Sequence, residues 1–340
     1  MKMKVAFYKS VLAILCLWPE LTWAGLPEAR AAWGRLDYAT VLRESTPLAE
    51  KGNPQAQFFV GIIHLEGATV PQDKQLGISW LRKAAEQNSP EGQLELGLAY
   101  AHGRGVAKDE RQAVSWYRKA AEQGYVVAQS NLGVMYAQGR GIAKDEREAV
   151  GWYRKAAEQG IAVAQFNLGL MYADGNGIAK DEREAVSWYR KAAEQGNASG
   201  QYNLGVMYDT GRGVAKDEHD AASWYLKAAK QGNAGGQYNL GVMYSSGSGV
   251  AKDDREALIW YRKAADQGDA AAQFNLGAIY ADGTGTTKDD QQAYYWWLLA
   301  SAQGDEKARR NRDDIERKLT STQRAAAQAD ARIWKPITSP

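Results

Sequence analysis

Apolar and polar positions along this chain follow helical spacings that recur. In residues 125–160, Ala128, Leu132 and Tyr136 fall at i, i+4 and i+8, one face of a helix. Ala149, Trp152, Tyr153, Ala156 and Ala157 fall at i, i+3, i+4, i+7 and i+8, the stripe of a second helix. Gly139-Arg140-Gly141 ends the first helix, because glycine accepts the left-handed conformation found past helix ends. Asp145 opens the second, where its carboxylate can accept orphan backbone N–H groups. Glu148, three residues on, completes a capping-box-like pattern, which Asp181/Glu184 and Asp253/Glu256 repeat. Gly160 stops this helix, so the segment predicts a helical hairpin.

The hairpin recurs every 36 residues. Gly61, Gly97, Gly133, Gly169, Gly205, Gly241 and Gly277 keep that spacing without a slip, and Trp80, Trp116, Trp152, Trp188, Trp224, Trp260 and Trp296 keep it too. Residues 139–160 and 175–196 differ only at 140/176 and 151/187. A fixed period of this size signals a solenoid or array. Each repeat glycine lies inside a helix, where it costs about 1 kcal/mol relative to alanine; the expected return is the close approach of a neighbouring helix. One hairpin alone does not bury Trp152 and Tyr136, whereas stacked hairpins bury them between neighbours. The tryptophan stripe is therefore expected to be core, and Met135, Met171, Met207 and Met243 inter-repeat filler.

The ends depart from the pattern, as capping units do. Residues 28–52 read as an opening hairpin, and 305–318 as a strongly charged helix. Thr320-Ser321-Thr322 can cap a final helix through about Trp334, which Pro336 ends. Proline is absent from 91 to 335, consistent with uninterrupted helices. The reading is an all-α solenoid with a helical cap at 25–55, seven repeats at 56–304, and a cap and tail at 305–340.

Residues 1–24 read as a secretory signal peptide. Lys2, Lys4 and Lys9 precede an apolar run from Val11 to Trp18, and Thr22-Trp23-Ala24 places small residues for cleavage after Ala24. The run is far shorter than the ~20 residues a membrane span needs. Export into a bacterial periplasm, or secretion, is expected, with no membrane span after cleavage.

That segment accounts for the composition. The whole chain has 42 basic and 40 acidic residues, and without residues 1–24 the balance is 39 to 39. A neutral chain has no global field to hold a polyanion, so nucleic acid is not an expected partner. The lone cysteine, Cys16, lies in the same segment, leaving no disulfide framework, thiolate metal site or cysteine nucleophile. His64, His102 and His219 fall in different repeats, and none has a second ligand at i+3 or i+4, so no metal site is expected. Gly103-Arg104-Gly105 shares glycines with a phosphate loop but lacks its spacing and preceding strand. No catalytic constellation and no cofactor are read from the sequence.

The pattern Ala128…Leu132-Gly133…Tyr136…Gly139-x-Gly141-Ile142…Asp145…Ala149…Trp152-Tyr153-x-Lys155-Ala156-Ala157-x-Gln159-Gly160 resembles the Sel-one-like repeat, a relative of the tetratricopeptide repeat. His64 and Trp297 depart from it in the first and last copies. The resemblance implies a right-handed α/α superhelix whose concave face binds a protein partner. Exported members of the family include immunity proteins against injected lipase-type toxins, regulators of sensors, secretion scaffolds and binders of host immunoglobulin. A cysteine-rich branch, with a disulfide pair in each repeat, has been called β-lactamase or penicillin-binding. The expected function is thus a non-enzymatic, periplasmic sequestering or immunity protein. Alternatives are a regulator or scaffold, a β-lactam or cell-wall hydrolase, and a secreted host-interaction factor.

Asn131, Asn167, Asn203, Asn239 and Asn275 form a ladder two residues before each repeat glycine, and Phe166, Tyr202, Tyr238 and Phe274 sit just before four of them. In tetratricopeptide-like units these first-helix positions line the groove. Aromatics supply contact area at low entropy cost, and amides can bond a peptide backbone, so together they are the candidate partner site. Packing between repeats is the competing role for the rings. First-helix ends also vary: Ala101-His102, Ala137-Gln138, Ala173-Asp174, Asp209-Thr210, Ser245-Ser246 and Ala281-Asp282. That variation can set specificity or reflect drift on an exposed surface.

Overall fold

A computed structural model describes residues 26–337. The described residues form eighteen α-helices and no strands. Two helices, α1 (Pro27–Gly34) and α2 (Tyr38–Glu50), make the opening hairpin. Seven two-helix repeats follow: α3 (Pro54–Glu66) with α4 (Lys74–Glu86), α5 (Pro90–His102) with α6 (Glu110–Glu122), α7 (Val126–Gln138) with α8 (Glu146–Glu158), α9 (Ala162–Asp174) with α10 (Glu182–Glu194), α11 (Ala198–Thr210) with α12 (Glu218–Lys230), α13 (Ala234–Ser246) with α14 (Asp254–Asp266), and α15 (Ala270–Asp282) with α16 (Asp290–Ala302). The closing cap is α17 (Glu306–Glu316) and α18 (Ser321–Ile333). The architecture is an all-α solenoid. It divides into two compact units, Met1–Ile161 and Ala162–Pro340, with the division between the third and fourth repeats. The signal-peptide reading falls on 1–24, outside the described residues. No helix among the described residues is long and apolar enough to cross a membrane.

The periodic glycines have the predicted cause. A Cβ on Gly133 would lie 2.6 Å from Tyr153 Cδ1, and one on Gly205 would lie 2.8 Å from Tyr225 Cδ1. A second-helix tyrosine fills the space a side chain would need, which lets the two helices of a hairpin close together. In the last repeat Trp297 takes this place against Gly277, and its indole N–H donates to the Phe274 carbonyl at 3.1 Å. The turn glycines serve a different contact. Gly141 has φ +66°, and a Cβ there would meet the Glu110 carbonyl of the preceding repeat. Gly213 stands in the same way against Glu182.

The capping pattern is simpler than the sequence suggests. Asp145 Oδ1 accepts from the backbone N–H groups of Arg147 and Glu148, both at 3.0 Å. The return bond from Glu148 is absent because the Asp145 N–H already donates to the Tyr136 carbonyl at 3.0 Å. The same bond holds Asp181 to Tyr172 and Asp253 to Tyr244, each at 2.9 Å, and ties each interhelix turn to the helix before it. A reciprocal box does form at the closing helix, between Thr320 and Gln323.

The tryptophan stripe is less buried than its spacing suggests. Trp80, Trp116, Trp152, Trp188 and Trp224 are half-buried, and only Trp260 and Trp296 are buried. Trp116 and Trp152 pack against the core of the repeat before them, and one face of each ring stays open to a lysine three residues on. Lys119 lies 4.1 Å from the Trp116 ring, Lys155 3.9 Å from Trp152 and Lys227 3.6 Å from Trp224. An ammonium over an indole is attracted by the ring quadrupole while its charge stays wet.

A polar ladder runs through the core, and the sequence reading missed it. Gln129 is 4% exposed; its amide donates to the Ala121 carbonyl of the preceding repeat at 3.2 Å and accepts from Gln159 at 2.9 Å. Gln201 does the same with Ala193 and Gln231, and Gln237 with Ala229 and Gln267. Each buried amide thus joins three helices. The available signal was the shared 36-residue period of both glutamines, one of them at an otherwise apolar helix–helix position.

Candidate functional site

The four aromatic candidates, Phe166, Tyr202, Tyr238 and Phe274, all belong to the second unit, on the first helices of its four repeats. Each is half-buried. Phe166 lies on Tyr189 with ring centroids 6.0 Å apart, Tyr202 on Tyr225 at 6.0 Å, and Tyr238 on Tyr261 at 5.9 Å. These lower tyrosines are the ones that fill the space beside the repeat glycines. Every pair is therefore a fixed, buried ring carrying a second ring that reaches the surface.

The two roles weighed for the rings prove compatible. Tyr202 packs into a core that includes Leu240 and Met243 of the next repeat, and a Cβ on Gly235 would lie 2.9 Å from its ring. Packing holds the inner part of the ring between repeats and leaves the rest accessible. Phe274 differs, since it packs with Tyr294 and Trp297 in the cluster that holds Ala308 and Ile315 of the closing cap.

Asn131, in the first unit, and Asn167, Asn203, Asn239 and Asn275, in the second, are also half-buried. Asn203 turns back on its own helix, donating to the Ser199 carbonyl at 3.0 Å. Asn239 adjoins the hydroxyl of Tyr225 in the repeat before it, and Asn275 those of Tyr238 and Tyr261, and each amide works against the burial that raises the phenol. These two amides thus sit among the tyrosine hydroxyls of the preceding repeats.

Burial pushes the Tyr202 and Tyr238 hydroxyls above the usual phenol range, and the charge of Asp269 adds to the effect in both. Burial pushes Tyr261 up to about 12. Tyr225 is also raised, by burial and then by Asp209, whose Oδ2 accepts its hydroxyl at 3.3 Å. These phenols are neutral donors over the physiological range and present no base or nucleophile. The face offers aromatic area, amides and hydroxyls, which is the chemistry of recognition.

Two other clusters stand apart. In the first unit, Arg104 bridges Glu66 at 3.1 Å and the buried Glu95 at 3.2 Å. Glu95 occupies the second repeat's position in the asparagine register, and its burial raises its pKa against the opposing pull of Arg104. In the second unit, Asp217, His219 and Asp220 bring one ligand atom each within 4.8 Å of one another. Their i−2 and i+1 spacings about His219 fall outside the i+3 and i+4 pattern of ligand pairs on a helix. Asp217 is engaged there as an N-cap, accepting from the Asp220 N–H at 2.9 Å.

The Sel1 repeat model matches seven consecutive segments, 54–89, 90–125, 126–161, 162–197, 198–233, 234–269 and 270–305. Among solved structures, a Sel1 repeat protein from Oxalobacter formigenes is similar at 34% identity and TM-score 0.66, over 88% of this chain and 91% of that one. A protective antigen of uropathogenic Escherichia coli with an SLR fold is 34% identical, with TM-score 0.47, over 92% of this chain and 83% of its own. An immunity protein from Pseudomonas aeruginosa is 24% identical, with TM-score 0.40, over 63% of this chain and 81% of its own. No curated protein matches the sequence.

Proposed function

This chain belongs to the Sel1 repeat family, whose repeats mediate protein–protein interaction, and on that premise we propose that it is an exported, non-enzymatic protein that holds a protein partner against its first-helix face. The observation that carries this reading is the ring pairing of the second unit. Phe166, Tyr202 and Tyr238 are held from beneath by buried tyrosines and from the side by neighbouring repeats, yet each remains accessible. Rings immobilised before binding lose little rotamer entropy on contact, which is how aromatic anchors raise affinity.

Within that class the finer reading is sequestration in the periplasm of a toxic effector, such as a lipase-type toxin. The signal-like segment at 1–24 supports export, and a recognition face without an evident nucleophile supports capture rather than turnover. The test has two parts. Intact mass of the protein recovered from the periplasm should correspond to a chain beginning at Gly25. Capture of the partner from periplasm should fall in a Tyr202→Ala/Tyr238→Ala variant whose helicity matches the parent, and unchanged capture by calorimetry would remove the aromatic face from the site.

A further inference from the structure

Resting on the reading above, we propose that the partner segment engaged by the first-helix face of Ala162–Pro340 is cationic and contains arginine. The four first helices of this unit, α9, α11, α13 and α15, carry Asp174, Asp209 and Asp282 and not one lysine, arginine or histidine. The cations of the unit lie on its turns, second helices and closing cap, and several are paired: Lys180 and Arg212 meet Glu182 at 3.1 and 2.9 Å, Lys216 meets Glu218 at 2.7 Å, and Lys252 and Lys288 face Asp254 and Asp290 at 3.6 Å, while Arg190 and Arg262 bond the hydroxyls of Tyr208 and Tyr280. Asp174, Asp209 and Asp282 enter no ion pair among the described residues, and Asp174 and Asp282 are exposed.

Two of these carboxylates adjoin the lower tyrosines. Asp209 accepts the hydroxyl of Tyr225, which lies under Tyr202, and Asp174 is close enough to Tyr189, under Phe166, to oppose its ionisation. Asp269 adds negative charge at Tyr202 and Tyr238. At the corresponding helix ends of the first unit the one carboxylate, Glu66, is paired with Arg104 at 3.1 Å. Ala101-His102 and Ala137-Gln138 bear no carboxylate, and burial, joined by the charges of Arg104, Arg140 and Lys108, holds His102 below its usual pKa. Lys216 answers part of the Asp209 charge, but the exposed Asp174 and Asp282, on a face that also presents accessible rings, suit a guanidinium, which is planar, stacks on aromatic faces and pairs with carboxylates in a fork; an ammonium pairs but stacks less well. A phosphate backbone or anionic lipid surface would be repelled.

The experiment is calorimetry of the full chain with three short capped peptides alternating serine with arginine, lysine or glutamate. The arginine peptide should bind, the lysine peptide more weakly, and the glutamate peptide not at all. Asp174→Asn/Asp209→Asn/Asp282→Asn should weaken the arginine peptide roughly tenfold, while Glu122→Gln/Glu158→Gln/Glu194→Gln, of equal charge change on exposed second-helix ends, should weaken it less than roughly twofold. Asp174→Asn/Asp282→Asn leaves the Tyr225 bond intact and should give a partial loss if the triple variant is misfolded. Equal weakening by the two triple sets, or preference for the glutamate peptide, overturns the inference. Partner capture lost in Tyr202→Ala/Tyr238→Ala but retained in the aspartate variants overturns the charge inference and leaves the face; capture retained in both overturns the face.

Discussion

Gly133 lies against the ring of Tyr153, so close that a methyl group there would stand 2.6 Å from Cδ1 of a side chain that is 4% exposed. Two effects oppose each other in Gly133→Ala. Alanine gains about 1 kcal/mol of helix propensity, and overpacking a fixed ring costs about 1–3 kcal/mol. The collision wins, and the variant should unfold at lower temperature than the parent. Gly151→Ala is the control, because nothing lies within 4 Å of its added Cβ. It should stabilise by up to about 1 kcal/mol. Thermal denaturation of the pair should therefore give opposite signs.

The buried amide ladder predicts a localised loss. Gln129→Leu keeps the volume and removes both the bond to Ala121 and the acceptor for Gln159. The expected cost is about 1–2 kcal/mol, with hydrogen exchange rising first in α7 and the end of α6 rather than along the whole chain. Uniformly raised exchange would contradict a nearest-neighbour array.

Arg104 is the counter-charge of a buried carboxylate. Arg104→Ala leaves Glu95, 5% exposed, without its cation and should cost about 3 kcal/mol. Adding Glu95→Gln should restore much of that, because the charge left stranded is then removed. Chemical denaturation of the single and double variants at neutral pH checks both signs, and in the single variant acidification should recover stability as Glu95 takes up a proton.

The tyrosine row fixes the alkaline limit. Burial raises Tyr153 and Tyr261 from 10 to about 12, and Tyr117, Tyr189 and Tyr225 are raised as well. With a folded pKa above the unfolded one, the neutral phenol favours the folded chain; that contribution is complete below pH 10 and is lost as pH rises from 10 toward 12. Absorbance at phenolate wavelengths should therefore rise together with the loss of helical ellipticity. Phenolate formation on an intact fold over that window would contradict it.

The hairpin, its period and its caps were legible because glycine, the aspartate cap and the apolar stripe each act within one or two turns of chain. Three features were not legible, for one physical reason. Whether Asp145 has a free N–H depends on the Tyr136 carbonyl brought back by the turn; how far Trp152 is buried depends on the core of the repeat before it; and whether Gln129 points inward depends on the preceding repeat. Helical spacing places a residue on a face but does not say what the neighbouring repeat sets against that face. The candidate rings were legible as positions on the first helices, while their support by Tyr189, Tyr225 and Tyr261 emerged only from the packing of each hairpin.

The glutamine ladder also bears on how such a chain changes over generations. Each hairpin offers on one side the acceptor its successor needs and on the other the donor its predecessor needs, so the unit is complementary to itself by translation. Unequal crossing-over between near-identical stretches such as 139–160 and 175–196 inserts or removes whole copies in register. No buried amide is orphaned by the exchange, and the number of repeats is free to vary while the chemistry of each joint is inherited intact.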